Sequence, residues 1–393
     1  MHFPSRVSRI ASKGALAWKI HHEALRRQAA GEDVILLAVG SPDQAPPPAI
    51  ISATVDSLRR GRTGYAPSGG YPEVRAAIAA RFARQTGQPC TEDNVVAVPG
   101  AQAGLFCALQ CLAEPGDEVI IGEPMYATYE AVAGAAGATV ITVPLRPETG
   151  FHPDLDALAR AITPRTRVLW INSPHNPTGA VMTREEIEAV AELCLRHDLW
   201  LLSDEVYAGL AFARPHFSPW ALPGMDQRTI VVSSLSKSHA IPGFRFGWII
   251  GPPAITKHLS NLIFCMLYGG PPFIQDGVLT ALRNDLPEAG AASEAYRHRA
   301  ALLTQTIAAA PDCNALLPEG GMFVLFDVRR TRYSATDFAF RLLDEENVAV
   351  MPCDGFGASV AGYLRISLTS PESRLEEAGH RIVRFTRKLA QQN

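Results

Sequence analysis

Seven short apolar runs, separated by turns and mostly by helical stretches, constrain this chain more than any other feature. They fall at 95–98, 118–121, 139–143, 167–171, 199–203, 229–233 and 246–250, with helical segments such as 101–112, 184–197 and 255–267 between them. Valine, isoleucine and leucine follow one another with little polar alternation, so both faces of these strands need cover. Strands of that kind alternating with helices make a mainly parallel, doubly wound α/β sheet. Functional side chains in such a sheet gather beyond the carboxyl ends of its strands.

The pattern changes after about residue 290. A long amphipathic helix at 291–309 precedes the β-rich runs 322–327, 348–351 and 363–368 and a closing helix. Helices on one face of a short antiparallel sheet make a smaller α+β domain. The first stretch of about 40 residues is too short for a core of its own and is expected to pack with it. The expected division is a large domain at 44–289 and a small one formed by 1–43 with 290–393. A chain of 393 residues is long for a single core, which agrees with two domains.

Bulk properties exclude several function classes. A net charge of −3 gives no electrostatic case for nucleic acid or an anionic membrane. The apolar runs are too short to span a bilayer, and the residues after Met1 lack the apolar core of a signal peptide. Seven scattered cysteines without a Cys-x-x-Cys suit reduced thiols and a cytoplasmic location. No His/Cys spacing points to a metal.

Only five of the 36 basic residues are lysines, and four are easily placed: Lys13 and Lys19 in a polar N-terminal stretch, Lys257 and Lys388 in helical segments. The fifth, Lys237, follows a buried strand in Thr229-Ile-Val-Val-Ser-Ser-Leu-Ser-Lys237-Ser-His. A lysine there is paired, has its pKa depressed, or is used covalently in a Schiff base. A salt-bridged or snorkelling loop lysine is the plainer alternative.

Other strand ends carry chemistry too. Asp204 follows the run 199–203 in Ser203-Asp-Glu-Val-Tyr207 and reads either as a functional acid or as a helix N-cap. Asn176, in Asn172-Ser-Pro-His-Asn-Pro-Thr-Gly179, is fixed by two prolines and a glycine, as a ligand or as a turn residue. Pro99-Gly-Ala-Gln-Ala-Gly104 opens a helix with small residues, which suits either a phosphate at the helix N-terminus or close helix–strand packing. It matches neither a Walker loop nor a dinucleotide fingerprint. Ser234, Ser236 and Arg245 could complete a phosphate cup. Arg365 alternates with Leu364 and Ile366, so it faces away from them. By itself it reads best as a solvated surface residue, with a grip on a carboxylate as the alternative.

As an ordered set, Pro-Gly-Ala-Gln, Glu-Pro-Met-Tyr, Asn-Pro-Thr-Gly, Ser-Asp-Glu-Val-Tyr, Ser-Leu-Ser-Lys and an arginine-bearing C-terminal strand resemble the class I/II aminotransferases. These are pyridoxal-phosphate enzymes of fold type I, and the resemblance covers nearly the whole chain. It implies that Lys237 carries pyridoxal 5'-phosphate as a Schiff base. It further implies that Asp204 pairs with the pyridine nitrogen, that Asn176 and Tyr207 hold the ring oxygen, and that Tyr126 stacks on the ring. Ala101, Gln102, Ser234, Ser236 and Arg245 would bind the phosphate, and Tyr65 would reach the phosphate of a neighbouring subunit in a homodimer with shared sites. Arg365, with Asn176 and the backbone near Gly40, would receive the substrate α-carboxylate.

Glu123-Pro-Met-Tyr-Ala-Thr-Tyr-Glu-Ala-Val132, Ser-Leu-Ser-Lys-Ser-His-Ala240 and Cys265-Met-Leu-Tyr-Gly269 look closer still to arginine–pyruvate transaminases. The loop Gly40-Ser-Pro-Asp43-Gln departs from the usual aromatic or acid after Pro-Asp, as do Pro242 and Thr369-Ser370 at variable positions. The expected reaction moves an α-amino group from an amino acid, arginine or another basic one, to a 2-oxo acid such as pyruvate. Asp43 and Glu123 are the candidate acids for a cationic donor. The same scaffold also serves C–S lyases, decarboxylases and arginine oxidases or hydroxylases. A pyridoxal-phosphate-sensing regulator would need an added basic DNA-binding region. An NAD-dependent oxidoreductase would need the missing fingerprint.

Overall fold

The computed structural model describes residues 2–11 and 17–392, so Lys13 lies outside the described residues. Each of the seven apolar runs forms a strand. After a short first strand, β1 (Ile35–Leu37), come β2 (Val95–Val98), β3 (Glu118–Glu123), β4 (Thr139–Pro144), β5 (Thr166–Asn172), β6 (Trp200–Asp204), β7 (Thr229–Ser234) and β8 (Gly247–Ile250). The last seven make one sheet in the order β2-β8-β7-β6-β5-β3-β4. β3 to β7 and β4 pair in parallel, while β8 runs antiparallel to both β2 and β7.

Period-two alternation shows why these runs needed no polar residues. Val119 and Ile121 pack into the cluster under helices 101–112, 129–136 and 253–267, whereas Ile120 joins the opposite cluster with Ile187 and Val190. Helices therefore cover both faces, and only the edge strand β4 is substantially exposed. Helix Arg184–Arg196 begins with reciprocal capping: the Glu186 N–H donates to Thr183 Oγ1, and the Thr183 N–H donates to the Glu186 carboxylate at 2.7 Å.

The second sheet adds β9 (Asn314–Leu316), β10 (Phe323–Asp327), β11 (Val348–Pro352) and β12 (Tyr363–Ser367), in the order β1-β11-β12-β10-β9. It is mixed rather than purely antiparallel, because β1 enters parallel to β11. Its long preceding helix runs Pro287–Ile307, starting four residues earlier than expected, with Pro287 in the first turn. Helices 287–307, 335–346 and 372–392 bury one sheet face around Phe326, Phe338 and Phe385. The other face is covered as well: Leu325, Met351 and Tyr363 meet Leu145, Phe151 and Ala180 from the large sheet's connections. That second cover corrects the surface reading of Arg365, which pairs in register with Leu325 and Met351 and is only 5% exposed.

Away from both sheets, helix 272–283 packs on helix 48–59 at Gly277, where a Cβ would lie 2.0 Å from Thr54 Oγ1. Gly277→Ala should therefore cost about 1–3 kcal/mol through forced separation. An unchanged denaturation midpoint by circular dichroism would contradict this packing.

Candidate active site

Between the carboxyl ends of β5–β7 and the second sheet lies a cavity of about 270 Å³. Its wall brings together Gly40, Ala101, Gln102, Tyr126, Asn176, Asp204, Tyr207, Ser234, Ser236, Lys237, Arg245 and Arg365. Of the residues expected to hold the cofactor or the α-carboxylate, only Tyr65 lies elsewhere. It is 89% exposed, beside Tyr268 at 5.6 Å between ring centroids.

At one end stands Asp204, the last residue of β6, 4% exposed and without an ion pair among the described residues. The N-cap reading is set aside: Asp204 Oδ1 accepts from the Val206 N–H at 3.1 Å, but no α-helix follows. Tyr129 donates its hydroxyl to Asp204 Oδ2 at 2.6 Å and stacks on Trp170 at 4.1 Å. Burial pushes the Asp204 carboxyl up to about 6, against the pull of those two hydrogen bonds.

At the other end, helix 101–112 starts at Gly100 with no side-chain cap, so its first N–H groups lack intrahelical partners. Gly100 has φ +85°, and a Cβ there would strike the Arg245 guanidinium at 2.6 Å. Arg245 is exposed and donates Nη1 to the Pro242 carbonyl at 2.8 Å, while the buried Ser234 and Ser236 line the same cavity. A helix N-terminus, two hydroxyls and a guanidinium form an anion cradle.

Lys237 also lines this cavity, in the loop after β7. Its Nζ donates to the Gly40 carbonyl at 2.7 Å and has no carboxylate partner among the described residues, so the salt-bridge alternative is not what the fold provides there. Burial, then Arg365 and Arg245, lower its pKa to about 8. Arg365 sits over the Phe323 ring at 4.0 Å and near Phe356 at 4.9 Å. It donates Nη1 to Asn176 Oδ1 at 2.9 Å and Nη2 to the Ala38 carbonyl at 3.0 Å, while its buried Nε has no partner among the described residues. Asn176 in turn donates its backbone N–H to Asn172 Oδ1 at 2.9 Å and makes a long 3.5 Å contact with the Tyr207 hydroxyl.

The family model for aminotransferases of class I and II matches residues 32–382. The chain belongs to the class I and II aminotransferases. Like other members of the family it is a transferase enzyme with an α/β fold of type I. It is 50% identical to an arginine–pyruvate transaminase of Pseudomonas aeruginosa over 97% of both chains. It is 35% identical to an aspartate/prephenate aminotransferase of Thermus thermophilus over 95% of this chain and 96% of the relative. A solved aspartate aminotransferase from Thermus thermophilus with maleate superposes with TM-score 0.92 at 34% identity, covering 98% and 99% of the two chains.

Several residues of this aminotransferase site escape the motif reading. Tyr129 was legible only as a second tyrosine three residues after Tyr126. Asn172 stood inside a quoted motif without a role, and it donates Nδ2 to the Asp204 carbonyl at 3.0 Å. Trp18, Phe323 and Phe356 line the cavity from distant segments. The two acids proposed for a cationic donor are corrected: neither lines the cavity. Asp43 is ion-paired with Arg299 at 2.8 Å, and Glu123 accepts from the Ser359 hydroxyl and N–H at 3.1 Å.

The raised Asp204 pKa carries a sign that can be tested without cofactor. Below the usual carboxylate value both folded and unfolded chains are protonated there. Between that value and about 6 the folded chain keeps a proton that the unfolded chain has given up, so this group lowers stability as pH rises through that window, and above about 6 the loss is complete. Asp204→Asn should raise the cofactor-free melting midpoint at pH 8, through a stability gain of about 3 kcal/mol at most, and barely change it at pH 4. A lower midpoint at pH 8 would contradict the burial argument.

Proposed function

We propose that the cavity binds pyridoxal 5'-phosphate and that the enzyme moves the α-amino group of arginine, or another basic amino acid, to a 2-oxo acid such as pyruvate. The observation carrying this reading is Lys237, an amine with lowered pKa in a cavity whose wall also holds a buried acid, an anion cradle and a buried arginine. The residues fit the cofactor. Gly100, having no side chain, lets the Arg245 guanidinium close on the helix N-terminus, and Asp204 is a buried acid without a counter-charge among the described residues, suited to a protonated ring nitrogen. The donor identity rests on the Pseudomonas aeruginosa relative.

When bound, pyridoxal phosphate supplies an aldehyde that condenses with amines and a ring that accepts the electron pair of a broken Cα–H bond. The protein does the rest. The N–H groups of Ala101 and Gln102, the hydroxyls of Ser234 and Ser236, and Arg245 hold the phosphate. Asp204, kept in place by Tyr129, holds the ring nitrogen, Asn176 and Tyr207 hold the ring oxygen, and Tyr126 covers the ring face. Arg365 and Asn176, with the backbone near Gly40, receive the α-carboxylate and orient Cα toward Lys237. Lys237 Nζ would be the base and acid that holds and moves the proton of the Cα–H bond. A pKa near 8 leaves a usable fraction of free amine at neutral pH.

In this reading the large domain is 44–289 and the small domain 1–43 with 290–393. The exposed Tyr65 serves the phosphate of a second copy, so a homodimer shares its sites, and the enzyme works in the cytoplasm. No metal takes part.

Lys237→Ala should lower turnover at least about a thousandfold while cofactor still binds. Retained steady-state transamination in that variant would sink the assignment. Given arginine and no acceptor, the wild-type enzyme should form 2-oxo acid once per site and then stop. Continuous ammonia release would instead indicate a lyase or oxidase. Arg365→Lys loses the planar fork, so KM for the amino acid should rise about 10- to 100-fold. An unaltered KM would remove Arg365 from carboxylate binding.

A further inference from the structure

A basic donor brings a cation into a cavity already lined by Lys237, Arg245 and Arg365. Asp204 is the sole carboxylate among its described lining residues, and it is held by Tyr129 and Val206 at the far strand end. Asp43 and Glu123 are engaged elsewhere. The donor's guanidinium therefore meets no free acid among the described residues of this cavity.

Aromatic faces are the remaining partners for a weakly hydrated planar cation, and this cavity already uses them so. The guanidinium of Arg365 lies over Phe323 and Phe356, which takes up both rings. Tyr126 is assigned to the cofactor ring and Tyr207 to its oxygen. Trp18 is left. It stands in the first turn of helix Ala17–Ala29, lines the cavity, and is 40% exposed. Its ring meets His21 edge-on at 5.6 Å and lies 6.4 Å from the His22 ring. Indole is the strongest cation-binding ring among the aromatic side chains.

Resting on the arginine-donor reading above, we infer that Trp18 is the specificity-determining residue for the donor's guanidinium, which stacks on the indole face instead of pairing with a carboxylate. Trp18 takes no part in moving protons, so its effect falls on KM and on the choice between donors.

The test compares arginine with citrulline, a neutral near-isostere, as donors to pyruvate. The wild-type holoenzyme should prefer arginine. Trp18→Ala should reduce the ratio of the two kcat/KM values about tenfold, mainly through KM for arginine. Trp18→Phe should retain part of the preference, and cofactor absorbance and melting midpoint should match wild type in both variants. An unchanged ratio in Trp18→Ala overturns the inference, as does collapse of the ratio in Asp43→Asn alone. A wild-type enzyme that uses neutral donors but shows no preference for arginine overturns the donor reading itself, and the role of Trp18 with it.

Discussion

Asp204, Lys237 and Arg365 are held largely out of water around one cavity, and the surrounding structure is arranged to make that tolerable. A single uncompensated buried charge would cost as much as the fold's whole net stability. Each of the three is handled differently. Asp204 receives two hydrogen bonds, from Tyr129 and the Val206 N–H. Arg365 is laid on two aromatic rings and satisfied by Asn176 and the Ala38 carbonyl. Lys237 donates to Gly40 and loses basicity to burial and to Arg365 and Arg245. The partners come from both sheets, so the cavity exists only where the two are docked.

One thread of hydrogen bonds joins these solutions. Arg365 on β12 reaches Asn176, Asn176 reaches Asn172 at the end of β5, and Asn172 reaches the backbone of Asp204 at the end of β6. The group proposed to hold the substrate carboxylate is thus positioned relative to the group proposed to hold the ring nitrogen. Orientation of that kind is a large part of what an enzyme contributes when a cofactor supplies the electronics. Gly40 adds a second constraint: its carbonyl accepts from Lys237, while a side chain there would strike Phe323 at 2.4 Å.

The large sheet was legible because apolar runs buried on both faces leave few alternatives, and the strand ends then pointed to Asp204, Asn176, Ser234 and Lys237. Arg365 was misread from its strand alone. Periodicity shows which side of a strand a residue takes, not whether something covers that side, and here Leu145, Phe151 and Ala180 do so from far along the chain. The same limit hid Trp18, Phe323 and Tyr129, whose importance comes from long-range packing. Asp43 and Glu123 failed for a related reason: an acid near a motif in sequence can be consumed by a distant partner, as Arg299 and Ser359 consume these two. Tyr65 belongs to a further class, since its proposed role needs a second chain.

The account turns on Lys237 acting as a proton carrier at Cα, not merely as a tether. Exchange of the donor's α-hydrogen with solvent deuterium, followed by proton NMR on the holoenzyme without acceptor, tests that claim most directly. The account predicts loss of the arginine α-proton signal with wild-type enzyme and negligible loss with Lys237→Ala loaded with the same cofactor. Undiminished exchange in the variant would contradict it.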